Sequence, residues 1–297
     1  MRISTFLHDS ETKSLDFSPE ILGCLDSSLP DLNFSHHFSE SSFLTDTEKT
    51  EVVITWRFEE PWYQKFPQLK TVYTPAAGHD WVKRDPSRKV AIIHGAFHGT
   101  ILAESLIGAL LFMNRRMLAM IKNHQERKWD RNLQSQTKLL KDQTILIIGY
   151  GKIAQICERA LRPMVKRIIG VKRNSDGQGI FRNSQLPSLL PSADHVVLLL
   201  PGTTETDRFM NSKLLSLMKK DSYIYNFGRG NALLAEDLLP ALEYLGGAFL
   251  DVTEEEPLPP NSALWCHEKI FITPHSSCLC DDYSKLYIDE LIDHLTL

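Results

Sequence analysis

The sequence predicts an α/β chain of two doubly wound, parallel-sheet domains. Three observations carry that prediction. Strand-like runs alternate with helix-like ones over most of the 297 residues, and such alternation makes parallel sheets with right-handed crossovers. Many strand candidates are continuous apolar runs, as strands covered on both faces require. The length suits about two domains, and 42% hydrophobic with 24% charged residues is the ordinary balance of a chain with a sizeable core.

The first group of strand candidates is "RISTFLH", "EVVITW", "LKTVYTP" and "KVAIIH", ending near residue 94. The second is "QTILIIG", "KRIIGV", "HVVLLLP", "SYIYNFG", "GAFLDV" and "KIFITP", between roughly 144 and 274. The second is long enough for a full doubly wound sheet, and the first makes a smaller unit. Residues 96–276 are therefore assigned to the larger domain and 1–95 with 277–297 to the smaller. Between the groups, Ile101–Ile121 predicts one long, largely buried helix over about 100–122. Glu104, Asn114, Arg115 and Arg116 within it argue against a membrane span. In the tail, Leu286, Ile288, Leu291, Ile292 and Leu295 share a helical face, expected to pack back on the first domain.

Composition narrows the function. A net charge of −4 gives no bulk attraction to nucleic acid. The opening "MRISTFLHDS" has no apolar run of secretion-signal length. Cysteines at 24, 157, 266, 278 and 280 form an odd, unpatterned set, which suits reduced thiols in the cytoplasm. Cys278-Leu279-Cys280 has no second pair at ligand spacing, so no metal is expected. His94 and His98 have a glycine between them and no accompanying Glu, and His36-His37 is equally bare. All four are read as structural.

The chemistry begins at "TILIIGYGKIAQ". A strand runs into Gly149-Tyr150-Gly151-Lys152-Ile153-Ala154 and a helix follows, which fits G-x-G-x-x-G/A with Ala154 in the third place. Gly149 permits the tight turn, Gly151 lets the backbone approach a pyrophosphate, and Ala154 allows close helix–strand packing. The helix N-terminus, including the amides at Lys152 and Ile153, holds phosphate oxygens. Ile153, Ile156, Cys157, Ala160, Leu161 and Met164 form the helix's apolar face, and Pro163 should kink or end it. The next strand ends at Val171, where an acid would accept ribose hydroxyls. Lys172 and Arg173 stand there instead. A 2′-phosphate wants such cations, so the turn reads as an NADP(H) site; the alternative is a solvated basic turn continuous with Lys166 and Arg167. Asp176 lies too far along to replace the acid unless the loop doubles back.

Three later stretches, "NFGRGNALLAEDL", "GAFLDVTEEEPLPP" and "ITPHSS", each place a polar residue just after a predicted strand, where open α/β sheets put their sites. Together they offer Arg229, Glu256 and His275. With them the chain resembles the D-isomer-specific 2-hydroxyacid dehydrogenases, in particular glyoxylate/hydroxypyruvate reductase-like members. The likeness covers nearly the whole chain and is densest over about 140–277. The family's R-G motif matches Arg229-Gly230, with Asn226 before it. "LDVF-x-x-E-P-L" matches Leu250 to Leu258, and "TPH" matches Thr273-Pro274-His275. "LP-x-T-x-x-T" matches Leu200-Pro201-Gly202-Thr203-Thr204-Glu205-Thr206. "G-A-G-x-D" matches Ala76 to Asp80, and the linker "AE" matches Ala103-Glu104.

The resemblance implies a Rossmann dinucleotide domain and a smaller flavodoxin-like substrate domain, with the active site in a closing cleft between them. It implies reduction of a small 2-ketoacid with NADP(H), NAD(H) being the second choice. His275 would be the general acid, Glu256 its hydrogen-bonding partner, and Arg229 the clamp on the substrate carboxylate. Backbone amides at Ala77 and Gly78 would hold the carboxylate's other side. Tyr150, Leu200, Pro201, Thr206, Phe227, Gly228 and Asp251 would line the cofactor, Asp251 near the nicotinamide carboxamide. A homodimer around the helix near 100–122 is implied as well. This chain departs from the family at Thr253, where an aromatic is usual, at Gly202, where a bulkier residue is common, and at Ala76, where the substrate loop normally has glycine. Trp56 and Arg57 could line the substrate side, or Trp56 could simply pack. Transcriptional corepressors that sense the nucleotide keep the same fold and triad, so a binding protein is the rival reading.

Overall fold

The computed structural model describes residues 1–8, 15–174, 177 and 179–296, apart from the side chain of Gln136. Asp176 lies outside the described residues. The chain divides into two compact units, Met1–His98 with Leu279–Leu297, and Gly99–Cys278.

In the first unit, β1 (Arg2–Phe6), α1 (Pro19–Ser28), β2 (Asn33–His37), α2 (Glu40–Phe43), β3 (Val52–Thr55), β4 (Thr71–Thr74) and β5 (Ala91–His94) follow in order. The five strands form one parallel sheet in the order β2-β1-β3-β4-β5, a doubly wound arrangement of the flavodoxin type. Local sequence starts its helices. Ser18 caps α1 by accepting from the Ile21 amide, with Pro19 in the first turn. One face of the sheet is closed by an aromatic core of Phe43, Phe58, Trp62 and Phe66 with Val53 and Val72. The C-terminal helix Tyr283–Thr296 belongs to this unit and packs against α1. Its buried face is Tyr283, Tyr287, Ile288 and Leu291, with the Tyr287 ring edge-on to Phe17. Trp56 is a packing residue: it is 8% exposed, bonds the Leu15 carbonyl and stacks on Tyr283. Arg57 turns outward to Glu40.

In the second unit the predicted single helix over about 100–122 is two helices, α3 (His98–Asn114) and α4 (Met117–Gln125). Arg116 adopts a left-handed φ of 54° at the break, which no continuous helix tolerates. Past the break α4 has no buried residue, although it opens with Met117-Leu118-Ala119-Met120-Ile121, whereas Leu102, Leu106, Leu110 and Met113 of α3 are core. The sheet then follows: β6 (Thr144–Ile148), α5 (Lys152–Leu161), β7 (Arg167–Lys172), β8 (Ile180–Arg182), β9 (His195–Leu198), β10 (Tyr223–Asn226), β11 (Gly247–Leu250) and β12 (Ile270–Ile272). All seven strands are parallel, in the order β12-β11-β10-β9-β6-β7-β8. The order reverses between β6 and β9, the switch point at which open α/β sheets bind ligands. β6 and β9 to β11 are almost wholly buried, and cores lie on both sheet faces. α5 ends at Leu161, and Arg162–Met164 with Pro163 form a 3-10 turn, as the proline dictates.

Candidate active site

Five consecutive strand ends build the site. The ladder bonds run past the strands, from Leu199 to Ile148, Phe227 to Leu198, Asp251 to Asn226 and Thr273 to Leu250. The residues that follow β6, β9, β10, β11 and β12 are thereby brought to the same edge.

After β6, Gly149 takes φ +94°, and a Cβ there would lie 2.4 Å from the Leu199 carbonyl oxygen, so only glycine serves. Gly151 begins α5 without any side-chain cap, and nothing lies within 4 Å of where its Cβ would be. The first amides of α5, at Lys152 and Ile153, are therefore left for an anion, in front of an open backbone. These are the features a dinucleotide pyrophosphate needs, so the turn fits such a cofactor. Ala154 is buried at 1% exposure, as the third motif position requires. Tyr150 folds back over Gly170 of β7, and the Lys172 ammonium stands 5.8 Å from its ring centre. Lys166 and Arg167 sit at the opposite end of β7 from Lys172 and Arg173, so the four cations do not form one continuous surface patch.

After β9, Leu200 is buried and Pro201 exposed. The Thr206 hydroxyl accepts from the Thr203 amide at 3.0 Å and donates to the Pro201 carbonyl at 2.5 Å, so it shapes the loop from within. After β10, the Asn226 amide group clamps the turn. Its oxygen accepts from Gly228 N–H at 3.1 Å and its nitrogen donates to the Arg229 carbonyl at 3.0 Å. Phe227 stacks on Phe249. The Arg229 guanidinium bonds the Gly228 carbonyl, and its aliphatic part lies against Gly202. Gly230 packs so closely on the Thr253 backbone that a Cβ would meet the carbonyl oxygen at 1.7 Å.

Glu256 and His275 meet directly, with Nδ1 of the imidazole 2.7 Å from Oε2 of the carboxylate. The other carboxylate oxygen accepts from the Thr253 amide at 3.1 Å. The hydrogen bond to Glu256 raises the His275 pKa above its ordinary value, with burial opposing it. Burial pushes the Glu256 carboxyl up, but the hydrogen bond and charge of His275, with smaller help from Thr253 and Arg229, bring it below the usual range. His275 takes a left-handed φ of 51°, and its amide bonds the Asp251 carbonyl at 2.8 Å. Asp251, 2% exposed, holds the rest of this turn. Its carboxylate accepts from the Thr273 hydroxyl, the Ser276 and Ser277 amides and the Ser277 hydroxyl. A cavity of about 250 Å³ opens beside it, lined by Ser105, Phe112, Phe227, Phe249, Thr273 and Ser277 among others.

Ala77 and Gly78 belong to the first unit, just beyond β4, on a loop where the Ala76 amide bonds the Thr74 hydroxyl. Behind that loop lie two histidines that the sequence did not single out together. His94 Nδ1 is 3.1 Å from the Ala76 carbonyl, and His79 Nδ1 is 2.9 Å from His94 Nε2. A motif position adjoining a strand-end histidine was the available signal. The other histidines read as bare are also partnered: His36 with Thr5, His37 with Ser42, and His98 with Tyr283. Among the described residues, no group of three or more His, Cys, Asp or Glu side chains is arranged to hold a metal, and no helix is long and apolar enough to cross a membrane.

Residues 107–277 match the family model described as D-isomer specific 2-hydroxyacid dehydrogenase, NAD binding domain. The chain belongs to the D-isomer specific 2-hydroxyacid dehydrogenase family. A glyoxylate reductase of Thermofilum pendens is 30% identical over 70% of this chain and 66% of its own length. A glyoxylate/hydroxypyruvate reductase A of an Enterobacter species is 34% identical over 52% of each chain. The matched region thus spans between half and two thirds of these relatives. The crystal structure of a D-isomer specific 2-hydroxyacid dehydrogenase from Xanthobacter autotrophicus, in complex with NADPH and MES, superposes with a TM-score of 0.81. It covers 99% of this chain and 94% of its own at 20% identity, a likeness of fold. The two parallel sheets described above are therefore those of a 2-hydroxyacid dehydrogenase.

Proposed function

We propose that this chain reduces a small 2-ketoacid to the D-2-hydroxy acid with NADP(H) favoured and NAD(H) second. The observation that carries the reading is the His275–Glu256 hydrogen bond of 2.7 Å on the strand edge that also holds Arg229 and the Gly149 turn. The names of the relatives, reductases of glyoxylate and hydroxypyruvate, support the substrate class. Lys172 and Arg173 at the tip of β7 support the cofactor preference.

The reduced nicotinamide supplies the hydride. The protein's own part is proton delivery and positioning. Because Glu256 engages Nδ1, that nitrogen keeps its hydrogen, and Nε2 of the imidazolium is the atom that gives a proton to the keto oxygen. The carboxylate of Glu256 favours the charged imidazole before transfer and fixes its plane throughout. Arg229 binds the substrate carboxylate and polarises the carbonyl, a bidentate task for which a guanidinium is suited. The amides of Ala77 and Gly78 are assigned to the carboxylate's other side. Asp251 is kept on the cofactor side, and its bonds to Thr273, Ser276 and Ser277 show in addition how the His275 turn is held.

The test is a panel of short 2-ketoacids offered with NADPH and with NADH, beside a direct nucleotide titration. Turnover of glyoxylate or hydroxypyruvate is expected. Tight nucleotide binding with no ketoacid consumed would replace the enzyme with a nucleotide-sensing binding protein.

A further inference from the structure

Among the described residues, the tip of β7 has no acid of its own, yet a carboxylate reaches it from elsewhere. Arg173 follows β7 directly, and its guanidinium is hydrogen-bonded to the carboxylate of Glu205. Glu205 sits in the 3-10 turn Thr204–Thr206 beyond β9. Strands β7 and β9 flank β6 on its two sides, and β6 carries the Gly149 turn. The ion pair therefore bridges the two loops on either side of the switch point. A ribose whose phosphates rest on the α5 N-terminus has to lie between those loops. The second cation, Lys172, faces the Tyr150 ring instead, so the two cations are held in different directions.

We propose that Glu205 is the discriminating carboxylate of the adenosine subsite and sets the ratio in which NADPH and NADH are accepted. This rests on the dinucleotide reading of the Gly149 turn. The side chains of Arg173 and Glu205 are 63% and 66% exposed, and a pair so open to water separates at little cost. A 2′-phosphate, carrying close to two negative charges, displaces Glu205 from Arg173 and then feels the displaced carboxylate as a nearby like charge. A ribose without the phosphate presents two hydroxyl donors instead, and among the described residues Glu205 is an acceptor within reach of the tip. The same carboxylate thus disfavours NADPH and favours NADH, while Arg173 and Lys172 act in the opposite sense.

The experiment is a fluorescence titration of NADPH and of NADH, without substrate, into the wild-type protein, Glu205→Gln and Arg173→Ala. Glu205→Gln should tighten NADPH and weaken NADH, moving the ratio of their Kd values about tenfold toward NADPH, more at low ionic strength. Arg173→Ala should move the ratio the other way. Equal shifts for both nucleotides in Glu205→Gln, or no shift, would overturn the proposal while leaving the dinucleotide site intact. A wild-type protein that binds neither nucleotide would overturn the underlying reading and this proposal with it.

Discussion

The aliphatic part of Arg229 lies over Gly202, so closely that a Cβ on residue 202 would stand 3.1 Å from the arginine Cγ. The family usually has a larger residue at this position, and the smaller one here lets the arginine settle against the loop after β9. A valine would have to push the guanidinium aside. Gly202→Val should raise KM for glyoxylate about tenfold, equivalent to about 1.4 kcal/mol, with a much smaller change in NADPH Kd. Steady-state kinetics beside a nucleotide titration checks this. Equal losses in both would mean that the loop, and not Arg229, was disturbed.

Replacing the arginine itself should cost more. Arg229→Lys keeps the charge but loses the fork of donors, and kcat/KM for ketoacid reduction should fall by about 100-fold or more. The thermal midpoint should change far less than kcat/KM, since lysine keeps the charge and the aliphatic packing against Gly202. Retention of wild-type kcat/KM in the lysine variant would remove Arg229 from the carboxylate.

The raised pKa of His275 gives a signed pH dependence. On the proposed mechanism the protonated imidazole is the donor in reduction, so kcat/KM for the ketoacid should be flat at low pH and fall as pH rises through that pKa. Oxidation of the hydroxy acid should run in the opposite sense. The leading cause of the raised value is the Glu256 hydrogen bond, so Glu256→Gln should move the alkaline limb to lower pH and lower the plateau. A pH–rate profile of both proteins decides it. An unmoved limb would show that another group titrates.

His195 makes a prediction about stability that is independent of catalysis. It is fully buried on β9, with Nδ1 2.9 Å from the Tyr225 hydroxyl and Nε2 3.2 Å from the Gln143 side-chain oxygen. Burial pushes its pKa down to about 4, against a small opposing effect of Asp194. Between the ordinary value of about 6.5 and about 4, the unfolded chain binds this proton and the folded one does not. Stability should therefore fall as pH drops through that window, by about 1–2 kcal/mol down to pH ~5. His195→Gln should lower stability near pH 7.5 yet flatten this slope. Urea unfolding at the two pH values measures both. An equal acid loss in the variant would assign the slope to other groups.

Much of this architecture was legible because its signals are local. Every strand that reads as an apolar run, from "RISTF" to "KIFI", is a strand in the structure. The two that were missed, "NFSHH" (β2) and "IFR" (β8), stand at the sheet edges, where partial exposure removes the apolar pattern. The helix break at Arg116 was invisible because neither glycine nor proline marks it; its backbone conformation comes from the surroundings. At the site, Glu256 and His275 could be named from motifs, but their bond joins residues 19 apart in sequence through the turn that Asp251 ties down. Glu205 occupies an x position of the LP-x-T-x-x-T motif and carries no signal there, because its meaning depends on β7 and β9 flanking one strand. Its pairing with Arg173 is a fact of topology that no spacing rule contains.

The most direct test of the catalytic assignment is NADPH oxidation with glyoxylate, followed at saturating nucleotide for the wild-type protein and His275→Asn, beside NADPH binding to each. Wild-type turnover, a loss of at least about 100-fold in kcat for the variant, and nearly unchanged NADPH affinity are expected. A variant that reduces glyoxylate at the wild-type rate would contradict the assignment of His275 as the proton donor.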